Sequence, residues 1–535
     1  MTLIQKSTLV RAVSNVAERG DTDVFPYPFE NHVMNDQSDA VVALLDKISK
    51  SFREYSNSPI NNYSTLAPIG YTGFRWATQI DPLWNAYLLS LVLELAPEIE
   101  QRRLPVESQQ VFSYRYVHDS PDGIFNASGW RDFQERTRQL ATTSNYVVTI
   151  DIADFYSRVY HHRLENALQR ADPGSNCTNQ IMSILGKLSN NTSYGLPVGG
   201  PAARLLAELV LDRVDHLIAA EPSLTFCRYA DDYRFFVNDM QAAYRAIGFV
   251  SEKLLRNEGM SLQKSKTRIM TSAEYLSMLD PVNPAAGSAS KFLGLHIHYD
   301  PYSPTASDDY ERLRDQLNEF DILGLLRDEL TKGRVHVALA RRLIGALDLM
   351  DPEPRGQAVQ SLMENIETLA PVIPQVMLAA RSFIEKSEDE EVVKHVQGKI
   401  RELITSGHYL AHIDLNLAYM IRALVGKYSL ENEQLLIRLY STAHGFGSAS
   451  SPNIQRDIML ALARWDATYW LSDQKNYVNS MHPWVRRAFI IASYVLKDEG
   501  KHWRDTSKSG LPEFDIIVRD WAASKVASPT WRVPI

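Results

Sequence analysis

The chain has 535 residues, 45% of them hydrophobic and 22% charged, a composition that leaves room for two or three cored domains and excludes a disordered or fibrous polymer. A formal net charge of -8 argues against indiscriminate binding of long duplexes, so any polynucleotide has to follow a local basic track. Only two cysteines occur, Cys177 and Cys227, too few for a disulfide framework or a zinc cluster. Met1 to Val13 has no signal-peptide core, and the apolar run Tyr87 to Leu95 is short and broken by Glu94. A cytoplasmic protein without membrane attachment is expected.

In chain order, Ala40 to Phe52 and Leu83 to Ile99 carry apolar residues at helical spacing. Between them Ser56 to Gly73, rich in Asn, Ser, Pro and Gly, reads as irregular. Val111 to Val117 alternates as a strand does, and Arg115 on it is either a cation for a triphosphate or a solvent-facing strand residue. Tyr146 to Asp151 is a continuous apolar run ending in an acid, as in a buried strand that delivers a side chain to a site at its end.

Tyr160, Leu164 and Ala167/Leu168 predict a helix after that strand, on which the adjacent His161 and His162 point to different faces and do not share a metal. Pro201 opens another helix, running through Ile218, and the Gly199-Gly200 pair ahead of it leaves bare backbone on which a nucleotide or base pair can pack. Cys227 to Val237 reads as two short strands joined by the acidic turn Asp231-Asp232. Adjacent acids repel, and holding them against aromatic strands requires a cation or a raised pKa. Asp151, Asp231 and Asp232 together are suited to two Mg²⁺ ions about 3.5 to 4 Å apart, the arrangement that clamps attacking and leaving oxygens in phosphoryl transfer.

Beyond about Ser307 helical patterns follow one another, with Pro352, Pro371, Pro452 and Pro483 at their boundaries. They predict either an α-solenoid resembling HEAT repeats or a compact bundle. Arg438 and His444 have a spacing seen in HEPN-type ribonucleases, but arginine is common enough here for chance to supply it, and no site is assigned to them.

Tyr229-Ala230-Asp231-Asp232 resembles the Y-x-D-D motif of reverse transcriptases, and Asp151-Ile152-Ala153-Asp154-Phe155-Tyr156 resembles their preceding acidic motif. Asn191 to Pro201, Gly259 to Thr267 and Lys291 to Leu295 resemble, in family order, the intervening loop, the lysine-bearing motif and the primer grip. The five motifs span roughly Phe112 to Tyr299. The resemblance implies an α+β chain: right-hand fingers in residues 1–107, a palm with fingers elements in 108–306, and an all-α, HEAT-like or bundled domain in 307–535.

It also implies roles. Asp151 and Asp231 bind both metals with Asp232 in support, and the backbone carbonyl of Ile152 reaches a metal. Asp154 is a structural acid. Tyr156 packs against the sugar and excludes a 2′-hydroxyl, so dNTPs are the substrates. Arg115, Val198, Gly199, Lys264 and Lys266 are nucleotide-binding candidates, and Phe292, Leu293 and Gly294 form the primer grip.

Many template-copying members have Gln where this chain has Val198, which removes polar contacts near nucleotide and template. In this, and in its long helical C-terminal region, the chain resembles the abortive-infection (Abi) and related defence-associated reverse transcriptases of bacteria. That group implies homo-oligomers, defence against bacteriophage, and DNA synthesis without a conventional template, in some cases started on a tyrosine so that the DNA product is covalently attached. Tyr55, Tyr63 and Tyr71, in or beside the Asn/Ser/Gly-rich segment, are the candidate priming tyrosines. The alternatives are a retron-like or intron-like enzyme that copies a dedicated noncoding RNA, and a catalytically idle helical scaffold.

Overall fold

The computed structural model describes residues 4–20, 24–118, 123–174, 176–279, 292, 320–507 and 510–535. The chain divides into two units, Met1–Ser64 with Ala77–Pro281, and Thr65–Trp76 with Val282–Ile535. It is an α+β chain with a helical C-terminal region.

In the first unit the helix Pro82–Glu94 is apolar all round and buried along its length except at Glu94. Such a helix needs neighbours on every side, and Lys6–Glu18, Asn176–Leu188 and Pro201–Ala219 pack against it. Ser56 to Gly73 is not the irregular segment its composition predicts. Most of it belongs to a hairpin of β1 (Asn62–Ile69) and β2 (Gly73–Ile80), in which Ser64 and Thr78 pair their hydroxyls at 2.9 Å. Turn formers sit at the bend, where Gly70 has φ 63°, while the strand signal lies in the second arm, outside the polar stretch.

The central sheet contains β3 (Tyr146–Asp151), β4 (Thr225–Tyr229), β5 (Asp232–Val237) and β6 (Arg268–Thr271) in the order β4-β5-β3-β6. Its pairs are antiparallel, and the β3–β5 register sets Asp151 opposite Asp232. The segment Val111 to Val117 is not a strand. It makes isolated bridges from Val111 to Arg228 and from Tyr116 to Phe125, with Tyr114 at φ 45° between them. Its alternation has another cause: the inward side chains, Ser113 and Arg115, are polar and bonded to the acids Glu208 and Glu100.

Those bonds belong to a network beneath the sheet. Arg228 on β4 is fully buried. Its guanidinium meets Asp215 at 2.6 to 3.1 Å and Glu208 at 2.8 to 3.2 Å, both from helix Pro201–Ala219. Arg103 donates to Glu208 at 2.6 Å and to Glu100 at 3.0 Å, and Arg115 donates to Glu100 at 2.8 Å. Three guanidiniums thus alternate with three carboxylates. Burial alone would push the Glu208 carboxyl up, but Arg228 and Arg103 hold it below its usual range. Arg228 Nη1 also donates to the Ala230 carbonyl at 2.8 Å, the residue that turns β4 into β5 with φ 53°.

In the second unit Val337–Ala346, Ile373–Lys386, Asp414–Leu424, Pro452–Arg464, Pro483–Ala492 and Glu513–Val526 pack each against the next. Pro352–Glu364, Glu390–Thr405 and Leu430–Ser441 flank them. Serial packing of alternate helices is the solenoid pattern, not that of a closed bundle. Buried Arg–Asp contacts stitch the row: Arg422 and Arg456 meet Asp457 at 2.6 and 2.9 Å, and Arg486 and Arg487 meet Asp515 at 2.6 and 3.0 Å. Among the described residues no helix is long and apolar enough to cross a membrane.

Two outcomes are expected. Arg228→Met strands Asp215 as an unpaired buried charge and leaves Glu208 with Arg103 alone, costing about 3–5 kcal/mol, and should lower the first unfolding midpoint by about 10 °C. An unchanged melt, followed by circular dichroism, would show the network to be neutral. Glu258, buried at the end of helix Met240–Glu258, has its carboxyl pushed by burial to about 7 from 4.5. The folded state then binds the proton more tightly, so its contribution to stability is present below about pH 4.5 and is lost as pH rises through about 7. Glu258→Gln should therefore stabilise the protein at about pH 8, by up to about 3 kcal/mol, and lose that advantage near pH 4; a pH series of thermal melts checks this.

Candidate active site

The end of β3 and the β4–β5 turn bring the three acids together. Ile152 N donates to Asp231 O at 3.3 Å, and Gln263 N donates to Asp151 O at 2.8 Å, so both backbones are tied at the sheet end. Asp151 is buried, and its Oδ2 lies 2.8 Å from Lys266 Nζ. That hydrogen bond raises the pKa of the Lys266 ammonium. Asp232 Oδ1 lies 3.3 Å from Arg234 Nη1. Asp231 has no ion-pair partner among the described residues. Burial first, and then the charges of Asp151 and Asp232, push its carboxyl up to about 6.

Among the described residues no three His, Cys, Asp or Glu side chains already converge as a metal-ready set. Lys266 and Arg234 hold two of the carboxylates instead. The donor chemistry nevertheless fits Mg²⁺: hard carboxylate oxygens, with Asp231 under repulsion from Asp151 and Asp232 that the charge of Lys266 offsets only in part. Asp151, Asp231 and Asp232 would hold the metal, with the Ile152 carbonyl beside them.

Tyr229, which leads the turn, sits among Trp130, Phe133 and Tyr114, with ring centroids 4.9, 5.8 and 5.8 Å away. Trp130 and Phe133 stand on helix Gly129–Thr142, whose start can approach closely because position 129 is glycine: a Cβ at Gly129 would lie 2.7 Å from the Phe112 carbonyl. Tyr156 is mostly buried near the charges of Asp231, Glu208 and Arg204, and burial holds its phenol protonated well above 10. Its carbonyl accepts from Leu196 N at 2.8 Å, which ties the Leu196 to Gly200 loop to the acidic motif. Within that loop Gly199 has φ 134°. Val198 borders a small void with Thr78, Ile80, Asn85 and Leu88. Its side chain offers no hydrogen-bonding group there.

Other sequence candidates fall elsewhere. Arg115 is neither a nucleotide cation nor a solvent-facing residue: it is buried, and it bonds Glu100, the Val111 carbonyl and the Leu104 carbonyl. Asp154 is exposed at φ 50°, and Lys264 is exposed. His161 bonds the Gly195 carbonyl at 2.8 Å while the exposed His162 lies near Glu165, on separate faces. Phe292 is buried with its ring 5.6 Å from that of Phe320, and Leu293 and Gly294 lie outside the described residues. Tyr55 lies in the short helix Phe52–Ser56, and Tyr63 lies on β1 against Phe25. The Tyr71 hydroxyl donates to the Thr368 carbonyl at 2.6 Å and accepts from Val335 N at 2.7 Å. His444 Nε2 accepts from Ser451 N at 3.2 Å.

Sequence reasoning missed the acids beneath the turn. Glu208 and Asp215, seven apart on a helix rich in Leu, Val and Ala, were the available signal, because buried acids at that spacing share one face and need a buried cation.

The family described as reverse transcriptase (RNA-dependent DNA polymerase) matches residues 100–297. Retron Ec83 reverse transcriptase of Escherichia coli is 22% identical over 169 residues, covering 30% of this chain and 53% of that protein, so the chain spans about half of that relative's length. Among solved structures, telomerase of Candida albicans in complex with a fragment of telomeric RNA aligns with TM-score 0.30 and 10% identity over 64% of this chain and 67% of that one. Apo telomerase of Candida tropicalis aligns with TM-score 0.33 and 12% identity over 71% and 73%. Likenesses this loose carry no weight. Motif order, the paired acids at the sheet end and the family match agree on one fold for residues 100–297, the part of the chain that matches the reverse-transcriptase family.

Proposed function

We propose that this protein is a DNA polymerase that adds deoxynucleotides by two-metal phosphoryl transfer. One observation carries the reading: Asp231, on the β4–β5 turn beside Asp151, is a carboxylate under like-charge repulsion with no protein cation at ion-pair distance among the described residues. When bound, Mg²⁺ supplies a lowered pKa for the attacking hydroxyl and charge neutralisation for the departing pyrophosphate. The chain's own residues do the rest. The β3–β5 pairing sets Asp151 opposite Asp232 with Asp231 on the adjoining turn, where the three carboxylates would hold the metal. Lys266, released from Asp151, becomes a cation for the leaving phosphate. The Tyr156 ring closes the space beside the sugar, and its phenol stays neutral.

The setting we propose is defence against bacteriophage, by an oligomeric cytoplasmic enzyme working without a conventional template. The apolar Val198, where template-copying relatives use Gln, supports it. Protein priming belongs to the same reading. Tyr71 would first have to give up two hydrogen bonds, at about 1 kcal/mol each. A second reading, copying of a dedicated RNA, is favoured by the match to a retron reverse transcriptase. Purified protein with Mg²⁺ and labelled dNTPs, with and without added RNA, separates the two: product without RNA supports the first, RNA-dependent product the second, and no product under either condition sinks the polymerase reading.

Within that assay, Asp231→Asn with Asp232→Asn should abolish incorporation while leaving the melting curve nearly unchanged, since neutral amides keep shape but bind divalent ions weakly. Full activity in this variant would overturn the site. Tyr156→Ala should raise ribonucleotide incorporation relative to deoxynucleotide by roughly tenfold or more, the scale of the about 1–3 kcal/mol by which a close-fitting pocket wall discriminates between substrates. An unchanged ratio would make Tyr156 a core residue and not a gate.

A further inference from the structure

A second cleft in the first unit has a volume of about 620 Å³, the size of a nucleotide-binding pocket, and none of the three metal-binding candidates lines it. Its walls are helices Ala96–Arg102, His161–Ala171 and Pro201–Ala219. Arg102, Arg170 and Arg213 face into it. Arg163 lies on the same helical face as Ala167 and Arg170. Arg102 Nη1 donates to the Arg170 carbonyl at 3.1 Å and so ties two walls together. None of these three lining arginines has a carboxylate at ion-pair distance among the described residues. Glu258 feels Arg163, Arg213 and Arg170 as well, yet burial pushes its carboxyl up to about 7, so near neutrality it offsets only part of their charge.

Against this positive wall stands one carboxylate. Asp212 lines the cleft, and burial pushes its carboxyl up. His216 Nδ1 lies 2.9 Å from the Asp212 backbone carbonyl and 3.2 Å from Oδ1. Its single hydrogen goes to the carbonyl, which leaves Asp212 Oδ1 buried without a hydrogen-bond donor. Guanidiniums that lack an anion, beside a carboxylate oxygen that lacks a donor, match a ligand bearing both phosphate and hydroxyl groups.

We propose that this cleft binds the sugar-phosphate of a ribonucleotide, whether free or as part of an RNA strand. The assignment stands apart from the polymerase reading, because binding requires no incorporation. The test is equilibrium binding to the full chain of a labelled hexaribonucleotide, and separately of ATP, across a salt series, comparing wild type with Arg170→Ala/Arg213→Ala. If a strand is the ligand, the variant should bind the oligomer on the order of tenfold more weakly, and the slope of log K against log salt should fall by about 1.4, at about 0.7 per phosphate contact. Loss confined to ATP identifies a free nucleotide. As a readout that needs no variant, arginine modification of wild type by phenylglyoxal, mapped by mass spectrometry, should show Arg170 and Arg213 protected by whichever probe binds. Unchanged affinity for both probes, or no protection by either, overturns the site.

Discussion

The contact between Arg228 and the two acids of helix Pro201–Ala219 is the constraint on which the first unit depends. A guanidinium with no exposed surface is tolerable only if its donors are met, and here Asp215, Glu208 and the Ala230 carbonyl meet them. One residue thereby fixes three things: the distance of the helix from the sheet, the left-handed turn at Ala230, and the direction in which Asp231 leaves the turn. The extension through Arg103, Glu100 and Arg115 carries the same alternation of charge to the segment Val111 to Val117. Such a network contributes geometry more than net stability, because the desolvation of six charges offsets most of their attraction.

Above that network the charge balance is incomplete. Two of the three site acids have protein cations, Lys266 on Asp151 and Arg234 on Asp232, and the third has none among the described residues. Lys266 is largely exposed and stands on a flexible stem, so its partnership with Asp151 exchanges at small cost. A site built this way has its acids partly balanced by protein cations, and a divalent ion, as proposed, would complete the balance. The cleft lined by Arg102, Arg170 and Arg213 shows the opposite imbalance, cations without acids, and explains how a chain of net charge -8 can carry a local attraction for phosphate.

The second unit follows a different rule. Its helices bury their faces on the next but one in sequence, and the arginine and aspartate pairs at Asp457 and Asp515 sit where those faces meet. Each contact is local in sequence, so the row forms without the long-range pairing that the sheet demands.

The site acids were legible because chemistry constrains residue type and spacing together: Asp151 ends an apolar run, and Asp231 and Asp232 interrupt an aromatic one. The helical character of the C-terminal region was legible from apolar spacing and proline boundaries. Other features were not. The polar composition of Ser56 to Gly73 concealed a hairpin, since strand pairing is decided by the opposite arm and not by local propensity. The alternation around Arg115 looked like a half-exposed strand, because a binary pattern records that every second residue differs but not which set is inside. Solenoid and bundle share the same helical periodicity, and only the order of packing separates them. Periodicity and motif are local properties and were set by the sequence alone; which buried charges meet was decided by contacts between residues far apart in the chain, as between Arg103 and Glu208, where only the folded structure supplies the partner.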